Sequence, residues 1–225
     1  MQVFASRTAL ADALAQATAT ALEARVKAQG RAMLAVSGGT TPVLFFEALS
    51  KVNLDWSRVV VTLVDERWVP EDNPRSNAAL VRRHLLVAHA AKARFVSLYN
   101  GAATAEQGRA EREAVLAAQP LPLAAAILGM GEDGHTASFF PGGDHLSAAL
   151  NPESERLLET MTAPGAGESR LTLTLPVLQK ADFLALHIEG ERKREVLSRA
   201  QGQGAEAEMP VRAVLRCNPP TYWCQ

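Results

Sequence analysis

Short, almost wholly apolar runs punctuate this chain: Ala32 to Val36, Val59 to Val64, Leu123 to Leu128 and Phe183 to Ile188. Each has the length of a strand and is short for a buried helix. A run with no polar face suits a strand covered on both sides, as in a parallel sheet. Phe95 to Leu98 is a weaker candidate of the same kind. Arg170 to Leu175 alternates strictly and reads as a strand, with a helix start near Pro176 as the other reading.

Between these runs the spacing turns helical. Residues Ser6 to Gln29 are alanine-rich, with leucine, valine and charges at helical intervals, and Gly30 is placed to end the helix. A second helix is expected through Phe45, Phe46 and Leu49, with Pro42 in its first turn and Thr41 or Thr40 as its cap. Ser76 or Asn77 opens a third, from Ala78 to Val87. Thr104 caps a fourth that runs to Gln119 and is closed by Pro120 and Pro122, and another begins at Glu191. Ser147 to Ala163 predicts no clear element, and Ala163 to Gly167 reads as a surface turn. In the tail, Val211 to Leu215 reads as a last short strand and Thr221 to Trp223 as a possible sheet edge.

Strands alternating with helices predict an α/β, Rossmann-like fold: a mostly parallel sheet with helices on both faces. No internal repeat or linker divides the 225 residues, so the expectation is a single domain over residues 1–225. In such folds the chemistry gathers at the C-terminal ends of the strands.

Composition narrows the function by exclusion. A formal net charge of −1 predicts neither nucleic-acid binding nor attachment to an anionic membrane. No run approaches the ~18 apolar residues of a membrane span. The first residues lack the basic start and long apolar centre of a secretory signal. Cys217 and Cys224 are too few for a disulfide framework or a metal site and read as reduced thiols, which fits the cytoplasm. Oligomeric state is open at this level.

Three strand ends carry candidate chemistry. The run at Leu123 to Leu128 leads into Gly129-Met130-Gly131-Glu132-Asp133-Gly134-His135-Thr136-Ala137-Ser138-Phe139-Phe140-Pro141-Gly142. Four glycines there imply sharp turns or a close approach of backbone to ligand, and Asp133 and His135 stand two residues apart among them. The run at Ala32 to Val36 leads into Ser37, Gly38, Gly39, Thr40 and Thr41, then Pro42. Strand, glycine turn and helix start form a general anion-binding design, because free N–H groups and the helix dipole point to one place. Asp65-Glu66-Arg67-Trp68-Val69-Pro70 follows the second strand, and three consecutive charges there are expected in a solvated loop. The remaining histidines, His84, His89, His145 and His187, lack a comparable setting.

Taken together, these segments resemble the 6-phosphogluconolactonase family. The resemblance rests on Ser37 to Pro42, Asp65 to Pro70 with Ser76-Asn77, and Gly129 to Gly142, followed in order by Arg170 with its Thr-Leu-Thr-Leu run and Gly190 with Lys193. It spans about residues 32 to 197; beyond about residue 200 little matches. The related glucosamine-6-phosphate deaminases carry a glutamate five residues after the histidine, where this chain has Phe140.

The resemblance implies hydrolysis of 6-phosphoglucono-δ-lactone in the oxidative pentose phosphate route, with no cofactor and no metal. It implies His135 as the general base for water, Asp133 as its partner or as a helix cap, and Arg67 at the oxyanion or the phosphate. It implies Ser37, Gly38, Gly39, Thr40 and Thr41 around the phosphate, with Arg170 and Lys193 as cationic partners. The kept rivals are an amino-sugar phosphate isomerase or deaminase on the same fold and a non-catalytic sugar-phosphate sensor.

Overall fold

The computed structural model describes residues 1–225. In chain order the elements are β1 (Gln2–Phe4), α1 (Arg7–Gln29), β2 (Ala32–Val36), α2 (Val43–Ser50), β3 (Val59–Leu63), β4 (Asp65–Arg67), α3 (Asn77–His84), β5 (Arg94–Phe95) and α4 (Ala105–Ala117). There follow β6 (Ala125–Leu128), α5 (Leu146–Leu150), β7 (Leu158–Met161), β8 (Arg170–Leu173), α6 (Leu175–Gln179), β9 (Phe183–Glu189), α7 (Glu191–Gln201), α8 (Val211–Leu215) and β10 (Thr221–Cys224).

Seven strands form the main sheet in the order β1-β10-β9-β6-β2-β3-β5, and every pairing in it is parallel. The central strands β2, β3 and β6 are buried along their whole length, as their continuous apolar pattern requires. This is the α/β, Rossmann-like sheet that the pattern predicts. Helix α1 packs on β2, β6, β9 and β10 and against α2. Its buried positions, Leu10, Leu14, Thr18, Leu22 and Arg25, recur every three or four residues and so share one face. Ser6 caps it by accepting from the Ala9 N–H at 3.1 Å. Gly30 ends it in the left-handed region, φ 78°, with its N–H returned to Val26 O.

A second, three-stranded antiparallel sheet, β4-β8-β7, stands beside the first. It changes the picture of two segments. Asp65 to Arg67 is a strand, and Asp65 and Glu66 are buried, against the expectation of a solvated loop. The reason is a partner distant in sequence: Asp65 pairs with Thr172, Glu66 with Leu171 and Arg67 with Arg170. The alternating segment at Arg170 is therefore a strand of this small sheet, with a helix start at Leu175 immediately after it.

Other local expectations shift as well. Val211 to Leu215 is a helix. Pro210, already in helical conformation (φ −62°, ψ −20°), presets the turn, and Val211 and Val214 fall on one buried side. β10 is no edge: it lies between β9 and the N-terminal strand β1, which the sequence pattern does not reveal. α2 starts at Val43 with Pro42 as N-cap and no side-chain cap, so neither Thr40 nor Thr41 closes the helix end. α3 stops at His84, three residues early, and β5 is only two residues long.

Candidate active site

The C-terminal ends of β2, β6 and β9, with β4 and β8 of the small sheet, converge on a cavity of about 450 Å³. All the sequence candidates except Asp133 line it: Ser37 to Thr41, Arg67, His135, Arg170 and Lys193. Asp133 reaches it through His135.

The loop after β6 is a tight turn built by glycines. Gly131 N–H donates to His135 O at 2.8 Å, and Gly134 closes the turn in the left-handed region, φ 82°. Thr136 Oγ1 donates to Gly129 O at 2.7 Å, and Gly129 N–H donates to Ser37 Oγ at 3.1 Å. That last bond ties the His135 loop to the glycine turn after β2. It gives Ser37 a structural task beside any ligand.

Asp133 Oδ1 lies 2.6 Å from His135 Nδ1 and also accepts the His135 backbone N–H at 3.1 Å. Nδ1 therefore carries the proton that Asp133 accepts, which leaves Nε2 with its lone pair in the neutral ring. The hydrogen bond from His135, helped by the imidazolium charge, holds the Asp133 carboxyl at about 2, against the opposing effect of burial. No helix begins until Leu146, so Asp133 caps none in this loop. Gly131 makes the pair possible: a Cβ there would collide with the His135 ring and the Asp133 carboxylate.

Phe140 packs against the imidazole, with ring centroids 4.5 Å apart. The Arg170 guanidinium stands over the same phenyl ring, 5.5 Å from its centroid. Arg170 is buried, donates to Ala166 O (2.6 Å) and Glu168 O (3.2 Å), and comes within 4.0 Å of Asp65. Burial pulls its pKa down, while the Asp65 carboxylate pulls it back up. Asp65 in turn accepts from Ser138 Oγ at 2.6 Å, so the small sheet is joined to the His135 loop.

Lys193 sits in the first turn of α7, behind Gly190 in the left-handed region. Its Nζ donates to Met130 O at 2.7 Å. Burial lowers its pKa, and the charges of Glu132 and Asp133 oppose that shift. This placement removes it from the solvated helix face that its charged neighbours suggest. Arg67 donates through Nη1 to Arg75 O, and its buried Nε has no partner.

Sequence reasoning missed several contributors. Arg75 lines the cavity and is paired with Glu168. Glu66 is fully buried and accepts four donors: Arg67 N–H, Ser76 Oγ, Asn77 N–H and Ala78 N–H, all at 2.8–2.9 Å. It thus receives the N-terminus of α3 and fixes the backbone of Arg67. Burial pushes its carboxyl up, against the pull of those four donors. Asn77 donates to Asp65 O at 2.9 Å, and its side chain fills the space that a Cβ on Gly38 would need. No local signal marks Glu66 in the sequence, because its donors in α3 and the strand that buries it lie elsewhere in the chain.

His187 also lines the cavity, buried, with Nε2 3.2 Å from Glu189 Oε1, and Glu189 accepts from Arg7 on its other oxygen. No group of three or more His, Cys, Asp or Glu side chains converges as a metal site. No helix is long and apolar enough to cross a membrane. Cys217 and Cys224 are free thiols.

The fold and this cavity define the class first: a Rossmann-like α/β enzyme with an acid–imidazole pair set among cations. Residues 5–223 match the family of glucosamine-6-phosphate isomerases/6-phosphogluconolactonase, and the chain belongs to that family. It is 55% identical over 216 residues to the 6-phosphogluconolactonase of Rhizobium meliloti strain 1021, covering 96% of this chain and 93% of the relative. It is 50% identical over 216 residues to the 6-phosphogluconolactonase of Mesorhizobium japonicum, covering 96% and 90%. The crystal structure of a 6-phosphogluconolactonase from Shewanella baltica OS155 superposes with a TM-score of 0.96 at 38% identity, covering all of this chain and 97% of the other.

Proposed function

We propose that this chain hydrolyses 6-phospho-D-glucono-1,5-lactone to 6-phospho-D-gluconate, with His135 as the general base. It is a carboxylic ester hydrolase working in the oxidative pentose phosphate route, and the cytoplasm is the compartment this reading implies. The whole of residues 1–225 acts as one domain.

The observation that carries the mechanism is the Asp133–His135 pair. With Nδ1 held by Asp133, Nε2 faces its chemistry as a proton acceptor. Nε2 takes a proton from water as the water oxygen attacks the lactone carbonyl. The imidazolium so formed is stabilised by Asp133. The tetrahedral intermediate then collapses, the ring C–O bond breaks, and the imidazolium returns its proton to the leaving oxygen. One imidazole thereby serves both steps.

Charge elsewhere in the cavity supports the substrate assignment. A phosphate monoester is close to −2 at neutral pH. Lys193 and Arg170 supply fixed cations, and the N–H groups of Gly38 to Thr41 supply neutral donors; the Ser37 N–H is already given to Ile127 O. Arg67, which lines the cavity, is the cation available to the developing oxyanion.

The test is lactone hydrolysis by the parent protein and by His135→Ala, with the spontaneous reaction subtracted. Loss of the base lowers the catalysed rate by about 10²–10⁴-fold. A His135→Ala protein that keeps the parent rate removes His135 from the mechanism.

A further inference from the structure

The tail, where the sequence alone shows little resemblance but which the family match to residue 223 includes, grips the loop that carries the acid–imidazole pair. Val211, the first residue of α8, donates its N–H to Gly134 O at 2.9 Å. Gly134 is the residue between Asp133 and His135. Met209 occupies the space where a side chain on Gly134 would begin. Both the carbonyl and the Cα of Gly134 are therefore in the hands of residues 209–211.

Arg212 holds that segment in place. Its Nε donates to Ala200 O (3.3 Å), its Nη1 to Ala205 O (2.9 Å) and to the Glu208 carboxylate (3.3 Å), and its Nη2 to Arg199 O (3.3 Å) and Gln203 O (3.1 Å). A guanidinium has five N–H groups, and each has an acceptor here. The connection from α7 to α8 is otherwise without helix or strand. Gly204 leaves the room for this fork: a Cβ there would collide with the guanidinium. One side chain thus organises the whole connection that delivers Met209 and Val211 to Gly134.

We propose that Arg212 is a positioning residue for the Asp133–His135 pair. It fixes residues 202–210 so that Met209 and Val211 hold the peptide between acid and imidazole, and the 2.6 Å contact between them follows. This rests on the reading of His135 as the general base. It matters because a displacement of about 1 Å at a catalytic group can cost about 10²-fold in rate.

Arg212→Lys keeps the charge but serves at most three acceptors, and Arg212→Met serves none. The expected result for both is a fall in kcat of about 10- to 100-fold, with KM close to the parent value. The proton resonance of the His135 Nδ1–H should move upfield or broaden, while circular dichroism stays that of the folded protein. Should neither Arg212 variant fold, Met209→Ala carries the test, since it removes the Cγ and Cε that stand against Gly134 and leaves the fork intact; a loss of kcat in the same direction is expected. Variants that melt at lower temperature yet keep kcat and the resonance would overturn the proposal. His135→Ala separates the two readings. An inactive His135→Ala beside an unaffected Arg212→Lys sinks the positioning role alone. A fully active His135→Ala sinks the general base, and the resonance then still decides whether Arg212 sets the Asp133–His135 contact.

Discussion

The phenyl ring of Phe140 touches His135 on one contact, at 4.5 Å between ring centroids, and the permanently charged Arg170 guanidinium on another, at 5.5 Å. The π-face can lie against an imidazolium as it forms, and the ring's bulk restricts how the imidazole turns. Phe140→Leu should keep the fold, since leucine fills most of the apolar space, yet release the imidazole. Steady-state kinetics should show kcat lowered about tenfold with KM little changed, as expected when positioning rather than binding is lost. Equal kcat in Phe140→Leu and the parent would show that the ring only fills space.

Gly131 tests the same pair from the backbone side. A methyl group there would collide with the His135 ring and the Asp133 carboxylate. Gly131→Ala must therefore push the pair out of place. We expect kcat to fall by about 10²-fold, the cost of a displacement near 1 Å. Glycine 30, which has open space around its Cα, is the control: Gly30→Ala strains a left-handed turn far from the cavity and should affect stability, with catalysis intact.

The Asp133 carboxyl, held at about 2 against an ordinary 3.8, links stability to pH. A depressed carboxylate pKa contributes stability that is fully present above the unfolded value and lost as pH falls through the folded one. The window is thus about pH 4 down to about pH 2. Asp133→Asn abolishes this contribution at every pH. Urea melts should show the parent more stable than Asp133→Asn above pH 4, with the gap closing toward pH 2. A gap that stays constant across that range would assign the stability to something other than the ionised carboxylate.

How much of this was legible in the chain follows from how local each cause is. β2, β3, β6 and β9 are visible as apolar runs because a parallel strand covered on both faces needs no polar side. Ser6, Ser76 and Thr104 announce their helices because a cap acts three residues away. Asp133 and His135 could be paired on sight because the glycine turn joins them locally. The burial of Glu66 could not be read, since it depends on β4 finding β8 about a hundred residues later and on α3 arriving to donate its N–H groups. β1 and the interior position of β10 are hidden for the same reason: they pair with each other across nearly the whole chain. The sequence says nothing of the task of Arg212, because all its acceptors but one are backbone carbonyls, which leave no mark there.

Glu66 gives a stability prediction of the buried kind. Glu66→Gln keeps the shape but turns one acceptor oxygen into an NH₂ that faces N–H and O–H donors. Leaving a buried donor unsatisfied costs about 1–3 kcal/mol, so denaturant unfolding should show a loss of that order. Because Glu66 also fixes the Arg67 backbone, the variant should lower lactone turnover measured at a temperature where it remains folded. Unchanged stability would mean that water replaces the lost acceptor.

Arg170 separates substrate binding from chemistry. It is buried, already satisfied in part by the carbonyls of Ala166 and Glu168, and it faces the cavity beside Phe140. If it grips the phosphate, the interaction belongs to a remote part of the substrate. A hydrogen bond to a charged group contributes about 1.5–3 kcal/mol, which is about 10- to 150-fold in affinity. Arg170→Ala should therefore raise KM for the phosphorylated lactone by that range and leave hydrolysis of the unphosphorylated lactone nearly unchanged. Because Asp65 would lose its cation, the melting temperature must be followed in parallel, and Arg170→Lys serves as the milder variant that retains the charge. Equal losses with both lactones, in a protein shown to be folded, would move Arg170 from the phosphate to the support of the small sheet.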